Sequence, residues 1–219
     1  AAAEQGTDPG TFRITRTGPT TSALTVDYTL GGTADSTDYT PALTGTASIP
    51  VGETFVDVEI FPFDDSVNEA NPETLILTLT DTADYDLGVP SSATVNIADN
   101  DTAGVTLTEA DGTPNNNALS VTEGGGTTAF SVVLNSQPTS DVEVSMTFND
   151  TIIRAGSPTP GGTPVILTFT AANWNVAQTV AVAAVNDTID TDGNVTNIAL
   201  TSGSFDPNYV AAPFSPASP

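Results

Sequence analysis

The stretch FVDVEIFPFDDSVNEANPETLILTLT, residues 55–80, decides the fold because it places a strand pattern on each side of an acidic turn. Residues 55–60 alternate, with Val56, Val58 and Ile60 on one face and two acids on the other. Residues 73–80 form a second run, rich in Leu, Ile and Thr. A period of two is typical of a strand with one buried face. This stretch therefore predicts two strands whose connection carries Asp64, Asp65 and Glu69.

Similar alternation recurs along the whole chain, and no segment longer than ten residues has a helical period. Loops are predicted at 111–117 and 154–164 from their Gly, Pro and Asn content. The predicted strands are 11–17, 23–30, 55–63, 73–80, 92–98, 104–110, 118–124, 127–135, 141–148, 164–170, 177–185 and 194–202.

The two halves of the chain resemble each other in layout. FVDVEIFPFDDSVNE (55–69) and TVAVAAVNDTIDTD (179–192) are both long alternating strands followed by an acidic turn. An internal repeat of about 100 residues predicts two tandem β-sandwiches. We place the first at residues 1–102 and the second at 103–210, with a Pro- and Ala-rich tail at 211–219.

Charge and composition exclude several classes of function. The chain has 219 residues with 27 acids, three arginines and no lysine or histidine, for a net charge of −24. Nucleic acids and anionic membranes are therefore not expected partners, because both are bound by clustered basic residues. No apolar run is long enough to insert into a membrane. Without His, Cys or Lys, the chain lacks the usual catalytic acids, bases and nucleophiles, and we predict no enzyme activity.

Acidic residues recur where the predicted strands of the first half end. In a sandwich, alternate loops lie at the same end, so these carboxylates are expected to share one tip. Oxygen ligands favour Ca²⁺, whereas Zn²⁺ prefers His and Cys. Any single one of these acids is better explained as a solvated turn residue, whereas the set as a whole favours a metal site, and we assign Asp35 and the other acids of this half to solvated turns. The candidate metal ligands are Glu4, Asp38, Asp64, Asp65, Glu69, Glu73, Asp99 and Asp101.

Several quoted segments together resemble the Calx-beta module, which occurs in sodium–calcium exchangers, integrin beta-4 and large bacterial surface proteins. They are GTFRITRTG, LTVDYTLGGTADSTDYT, the stretch from ASIPVGETF to LTLTD, and ATVNIADND, and they span residues 4–101 in the family's order. The resemblance implies tandem immunoglobulin-like antiparallel β-sandwiches. It also implies that the eight candidate residues bind calcium at one end of the first domain.

The second half resembles divergent repeats that accompany such modules in bacterial extracellular proteins. SVTEGG, SVVLNSQPTSDVEVSMTF and LTFTAANWNVAQTVAVAAVND carry this resemblance, but no second DND segment closes the domain. Calcium binding is therefore expected mainly in the first half. The counterpart ligands implied for the second half are Glu123, Asp187, Asp190 and Asp192.

These observations predict a calcium-binding, non-catalytic module of a secreted or cell-surface bacterial protein. Ca²⁺ would stiffen the fold and the domain junction, in a spacer or adhesion role. Two alternatives remain: a calcium sensor that regulates an attached domain and, ranked last, a carbohydrate-active enzyme. The first strand of the first domain and the last strand of the second are short of the family pattern. We therefore expect neighbouring repeats or a second copy to pair with incomplete sheet edges, or the chain to be a fragment of a longer array.

Overall fold

The computed structural model describes residues 1–6, 8–69, 72–109, 119–157, 160–189, 196–210, 212 and 214–216. It confirms the prediction of an all-β protein with tandem immunoglobulin-like sandwiches. The chain forms two compact units. Unit 1 comprises Ala1–Asp65 and Glu69–Asn100, and unit 2 comprises Ser66–Asn68 and Asp101–Pro219.

Unit 1 is built from two sheets. Its strands among the described residues, β1 to β8 in chain order, are Ala2–Ala3, Gly10–Thr15, Leu24–Gly32, Tyr39–Thr40, Thr46–Ile49, Phe55–Pro62, Glu73–Leu79 and Ser92–Ala98. The first sheet has the strand order β1-β8-β7-β3-β5, and the second has the order β2-β6-β4.

The core of unit 1 lies between these sheets and follows from the alternation of its strands. Phe12 and Ile14 of β2 and Ile60 of β6 are buried in the same cluster as Leu75 of β7 and Val95 of β8. Polar residues between them face solvent, as expected for a sheet with one buried face. Because both sheets supply one core, unit 1 is a β-sandwich.

Unit 2 has the same architecture. Its strands, β9 to β16, are Val105–Glu109, Thr128–Leu134, Val142–Thr147, Ile153–Gly156, Val165–Phe169, Gln178–Ala184, Ala199–Ser204 and Phe214–Pro216. The sheets have the orders β12-β14-β10-β9-β16 and β13-β11-β15, and a short 3-10 turn spans Pro207–Tyr209. Val132, Val144, Phe169 and Val180 from both sheets form its core. Trp174, the only tryptophan of the sequence, packs against this core.

Two local predictions in the second half are wrong. The strand predicted at 118–124 is absent from its described residues, 119–124, where Gly125 instead donates a hydrogen bond to the carbonyl of Thr122. Three consecutive glycines begin at the last residue of this stretch, and Gly124 has a φ of 62°, which favours a turn over a strand. The loop predicted at 154–164 begins inside β12, which pairs antiparallel with β14. Its Arg-Ala-Gly sequence carries no alternation that would have marked it as a strand.

The segment interpreted as a tail, 211–219, contains a paired strand. Phe214–Pro216 forms β16, parallel to β9, with Phe214 opposite Val105. The described residues include no helix with the length and apolar character needed to span a bilayer.

Candidate metal centre

The topology of unit 1 brings strand ends together at one end of the sandwich. Strand β1 runs parallel to β8, with Ala3 opposite Ala98, and the amide of Glu4 donates to the carbonyl of Ala98 at 3.1 Å. Glu4 and Asp99 therefore leave the sheet side by side. Strand β7 is antiparallel to β8, with Glu73 opposite Ile97, so the start of β7 lies beside the same point.

The second sheet delivers its acids to the same end. Tyr39 of β4 pairs with Pro62 of β6, and the amide of Phe63 donates to the carbonyl of Asp38 at 2.9 Å. Asp38 thus precedes β4 where β6 ends, and Asp64 and Asp65 follow directly. The strand order, rather than any local motif, positions these side chains.

Six of the eight predicted ligands form two groups of three, which we call the acidic cluster. One group contains Glu4, Asp99 and Asp101, and the other contains Asp38, Glu69 and Glu73. In each group, one carboxylate oxygen per residue lies within 4.8 Å of the others. Glu4, Asp38, Glu73 and Asp99 are each at least nine-tenths buried, which is rare for unneutralised carboxylates.

A hydrogen bond joins the two groups. The amide of Glu69 donates to Oδ2 of Asp99 at 2.8 Å, which fixes the chain at Glu69 against the end of β8. The carboxylate of Asp38 is fixed by hydrogen bonds from its own turn. The amide of Asp35 donates to Oδ2 of Asp38 at 2.5 Å, and Oγ1 of Thr37 donates to Oδ1 of Asp38 at 3.1 Å. These contacts orient the side chains before any ligand arrives.

Electrostatics within the cluster are unfavourable in the absence of a cation. Burial, reinforced by the charges of Asp38, Asp65 and Asp99, raises the pKa of Glu69 to about 7. Burial likewise raises the pKa of Glu73 to about 7, with contributions from Asp38 and Glu69. Both directions follow from the cost of placing negative charge in a desolvated, negatively charged site.

Glu73 carries a buried carboxylate oxygen that has no hydrogen-bond partner among the described residues. Oε2 of Glu73 is fully shielded from solvent and accepts no hydrogen bond there. Buried polar atoms are almost always satisfied, so an orphaned acceptor inside a group of acids indicates a site shaped for a positive ligand.

Asp64 and Asp65 lie at the margin of the cluster rather than within either group. Both are exposed, and Asp64 accepts a hydrogen bond of 3.3 Å from the side-chain amide of Asn100. Asp65 lies near enough for its charge to raise the pKa of Glu69.

Sequence reasoning missed Asp35, which we had assigned to a solvated turn. Its charge raises the pKa of both Glu69 and Glu73, so it belongs electrostatically to the cluster. Hydrogen bonds from the amide and hydroxyl of Thr37 lower the pKa of Asp35 itself. The spacing Asp35-Ser-Thr-Asp38, two acids three residues apart in one turn, is the signal that identifies it.

Unit 2 shows no comparable group among its described residues. Neither Glu123 nor Asp187 joins a set of three acids, and Asp187 accepts a local hydrogen bond from the amide of Ile189 at 2.6 Å. Asp190 and Asp192 lie outside the described residues. Asp206, which is only 1% exposed, is satisfied by the amides of Thr139 and Asn208 at 2.8 and 2.9 Å.

The three arginines are engaged away from the acidic cluster. Arg13 forms a bidentate pair with Asp57 at 2.7 Å, and Arg154 lies 3.5 Å from Asp150. Arg16 donates to the carbonyls of Ser22, Glu53 and Pro50 at 2.8–3.0 Å. With no lysine or histidine in the sequence, no other side chain of the chain can supply positive charge to the cluster.

Fold and site together define a tandem β-sandwich protein with a carboxylate-lined end on its first sandwich. The family model of the Calx-beta domain matches residues 4–101 and again residues 114–213. The chain therefore belongs to the Calx-beta family and carries two such domains in tandem, which confirms the resemblance seen in the sequence.

Solved structures give two further similarities. A crystal structure of the calcium binding domain CBD12 of CALX1.1 is 22% identical, covering 92% of this chain and 76% of that chain at a TM-score of 0.39. A crystal structure of CBD12 from CALX1.2 is 23% identical, covering 90% and 75% at the same TM-score. No curated protein matches the chain.

Proposed function

We propose that the first domain binds Ca²⁺ through the acidic cluster and acts as a non-catalytic, calcium-stabilised module. The observation that carries this proposal is the convergence of six carboxylates in two groups, four of them nearly buried. Oε2 of Glu73, which is buried and accepts no hydrogen bond from the described residues, supports it.

The geometry of the groups suits a calcium ion. Two oxygens bound to one Ca²⁺ at about 2.3–2.6 Å are at most about 5 Å apart, and the oxygens of each group fall within 4.8 Å. Carboxylates this close repel by about 3 kcal/mol per pair at an effective dielectric near 20, and a divalent cation relieves that repulsion. Second carboxylate oxygens, main-chain carbonyls and water can complete the six to eight ligands that Ca²⁺ prefers.

Each group would hold its ion through named residues. Glu4, Asp99 and Asp101 would bind one, and Asp38, Glu69 and Glu73 would bind another, with Asp64, Asp65 and Asp35 adding negative charge at the rim. Because these residues come from the ends or starts of β1, β4, β7 and β8, bound calcium would fasten several strands together. It would also fix the Asp99–Asp101 segment and so stiffen the junction between the domains.

We place this module in a secreted or cell-surface protein, as a spacer or adhesion element. A chain of net charge −24 suits a medium with abundant calcium, where weak sites are filled. Regulation of an attached domain is the competing role, and affinity distinguishes the two. Sensors bind with dissociation constants of about 10⁻⁷–10⁻⁵ M, whereas extracellular modules bind at about 10⁻⁴–10⁻³ M.

Calorimetric titration with CaCl₂, beside thermal melts in EDTA, tests the proposal. The wild type should release or absorb heat on binding and melt at a higher temperature in calcium. The double variant Glu73→Gln/Asp99→Asn should lose most of both effects. Glu143→Gln, an exposed acid on β11, is the control and should behave as wild type. If wild type shows neither heat nor a change in melting temperature, calcium binding is wrong and only the fold assignment stands.

A further inference from the structure

The outer face of strand β6, the face turned away from the core of unit 1, carries exposed phenylalanines. Phe55 and Phe61 are 37% and 41% exposed, and Phe63, which follows the strand, is 44% exposed. Asp57 and Glu59 lie between them on the same face, because side chains two residues apart in a strand share a face. The outer face of β6 therefore contains two pairs of a phenylalanine and an acid, Phe55 with Asp57 and Glu59 with Phe61.

The first pair already binds a guanidinium from the same chain. Nε and Nη2 of Arg13 donate to the two carboxylate oxygens of Asp57, both at 2.7 Å. Cζ of Arg13 also lies 4.1 Å from the centroid of the Phe55 ring. Arg13 reaches this position from β2, where it lies opposite Asp57. The pair thus holds an arginine by a bidentate hydrogen bond to the carboxylate and a cation–π contact with the neighbouring ring.

The second pair has the same spacing but no arginine of its own. The residue of β2 opposite Glu59 is Thr11, and the residue of β4 opposite Phe61 is Thr40. Both threonines are exposed and neither carries a charge. Among the described residues, no ion pair involves Glu59. Glu59 and Phe61 therefore present to solvent the two groups that hold Arg13 in the first pair.

We propose that Glu59 and Phe61 bind the guanidinium of an arginine supplied by another polypeptide, with Phe63 as the surface for a second arginine of the same segment. Arginine suits this pair better than lysine, because a planar guanidinium can stack on a ring and pair with a carboxylate at once. Side chains two residues apart in a strand are about 7 Å apart. An extended segment with arginines at alternate positions therefore matches the spacing of Phe61 and Phe63.

Charge complementarity favours a basic partner for this face. The chain has a net charge of −24, and Asp64 and Asp65 are exposed directly after Phe63, so a basic segment is attracted and an acidic one repelled. A purely apolar partner would bury Glu59 without a counter-charge, which is costly. The proposal is independent of calcium binding, because Glu59 belongs to neither group of the acidic cluster.

An NMR titration of the backbone amides of the full chain with the capped peptide GRGRG, in EDTA, tests this directly. The amides of Thr11, Thr40, Glu59 and Phe61 should shift saturably and more than amides elsewhere. The isomeric peptide GRRGG has the same charge but places its arginines on opposite faces when extended. It should bind about threefold or more weakly, because only one arginine can then reach a ring. GKGKG should also bind more weakly than GRGRG.

Variants of the protein test the two contacts separately. Glu59→Gln and Phe61→Ser should each lower the affinity for GRGRG by about threefold or more, since each removes one contact with the guanidinium. Glu143→Gln, which removes an exposed acid of unit 2, is the matched control for the first variant. Phe205→Ser, which removes a phenylalanine that is 98% exposed, is the control for the second. Both controls should bind as wild type.

Three results would overturn the proposal. They are equal binding of GRGRG and GRRGG by the wild type, shifts spread over the acidic surface instead of concentrated around Phe61, and unchanged affinity in Phe61→Ser. The comparison of peptides uses the wild type alone and so does not depend on any variant folding. A protein that ignores GRGRG but shows shifts of the same amides with cellohexaose would assign this face to a neutral sugar instead.

Discussion

The buried glutamate at the start of β7 shows most clearly how one residue links fold to function. Glu73 occupies a strand position, opposite Ile97, yet its side chain lies in the acidic cluster and Oε2 has no partner among the described residues. Such a residue costs stability in the metal-free protein and contributes it when a cation is bound. The same side chain should therefore have effects of opposite sign in chelator and in calcium.

Replacing Glu73 by Gln tests this reversal of sign. In EDTA near pH 8, Glu73→Gln should melt at the same temperature as wild type or a few degrees higher, because one repelling charge is gone. In millimolar calcium it should melt lower than wild type, because a ligand is lost. Differential scanning calorimetry measures both. A variant that is destabilised equally in the two conditions would show that Glu73 is only a packing residue.

A second residue-scale prediction concerns Arg16, whose guanidinium donates to three carbonyls of two loops. Lysine has the same charge but cannot present this planar array of donors. We expect Arg16→Lys to lower the free energy of unfolding by about 1–3 kcal/mol in a urea titration. Arg154→Lys is the control, because the exposed Arg154–Asp150 pair is a single contact of 3.5 Å and contributes little. Equal losses in both variants would contradict the role assigned to Arg16.

At the scale of the element, the acidic cluster is a property of strand order. It joins acids that are far apart in sequence, because parallel β1 and antiparallel β7 flank β8 and bring Glu4 and Glu73 to the end of that strand. The cluster also makes the metal-free fold sensitive to pH, since Glu69 and Glu73 each have a pKa raised to about 7.

The sign of the pH effect follows from linkage. A carboxyl whose pKa is about 4.5 unfolded and about 7 folded binds more protons in the folded state between those values. Its contribution to stability is present below pH 4.5 and is lost as pH rises through 7. The melting temperature measured in EDTA should therefore fall from pH 5 to pH 8. Saturating calcium should flatten that dependence. A metal-free protein that gains stability over this interval would contradict the arrangement of charges.

The strand elements were largely predictable from sequence, and the exceptions have physical causes. The predicted strand 92–98 coincides with β8, and most other long alternating runs match a strand to within two residues at each end. Strand β12 was not predicted, because Ile153–Gly156 is short and its sequence carries no alternation. The strand prediction at 118–124 was wrong because alternation is a local signal, and the glycines at 124–126 favour a turn.

The candidate site was predictable as a set of strand ends but not as two groups. Acids at strand exits identified Glu4, Asp38, Glu73 and Asp99, since every antiparallel sandwich returns alternate loops to one end. Sequence could not separate Asp64 and Asp65, which lie exposed at the rim, from Glu69, which joins a group. It also could not show that the turn from Asp35 to Asp38 folds back on the cluster, because that depends on the hydrogen bonds of Asp38.

At the scale of the whole molecule, one family domain occurs twice with different internal chemistry. Unit 1 buries four acids of the cluster, whereas Asp206 of unit 2 is satisfied by backbone amides and the hydroxyl of Tyr209 donates to the carbonyl of Ser136 at 2.7 Å. The structure of unit 2 should thus depend less on a bound cation than that of unit 1.

Hydrogen exchange separates the two domains in a single experiment. On addition of calcium, amides near the acidic cluster, in residues 38–40, 73–76 and 95–99, should become markedly better protected. Those of β11 and β13 in unit 2 should change little, because neither of the two groups of three acids found among the described residues lies there. A comparable gain in β11 and β13 would indicate either a second site or a global effect of calcium on the fold.

The most direct test of the central claim is a crystal structure determined in millimolar CaCl₂. The account predicts density for a cation in each group of the acidic cluster, at about 2.3–2.6 Å from oxygens of Glu4, Asp99 and Asp101 and of Asp38, Glu69 and Glu73. Both groups empty, with these side chains turned apart into solvent, would contradict it.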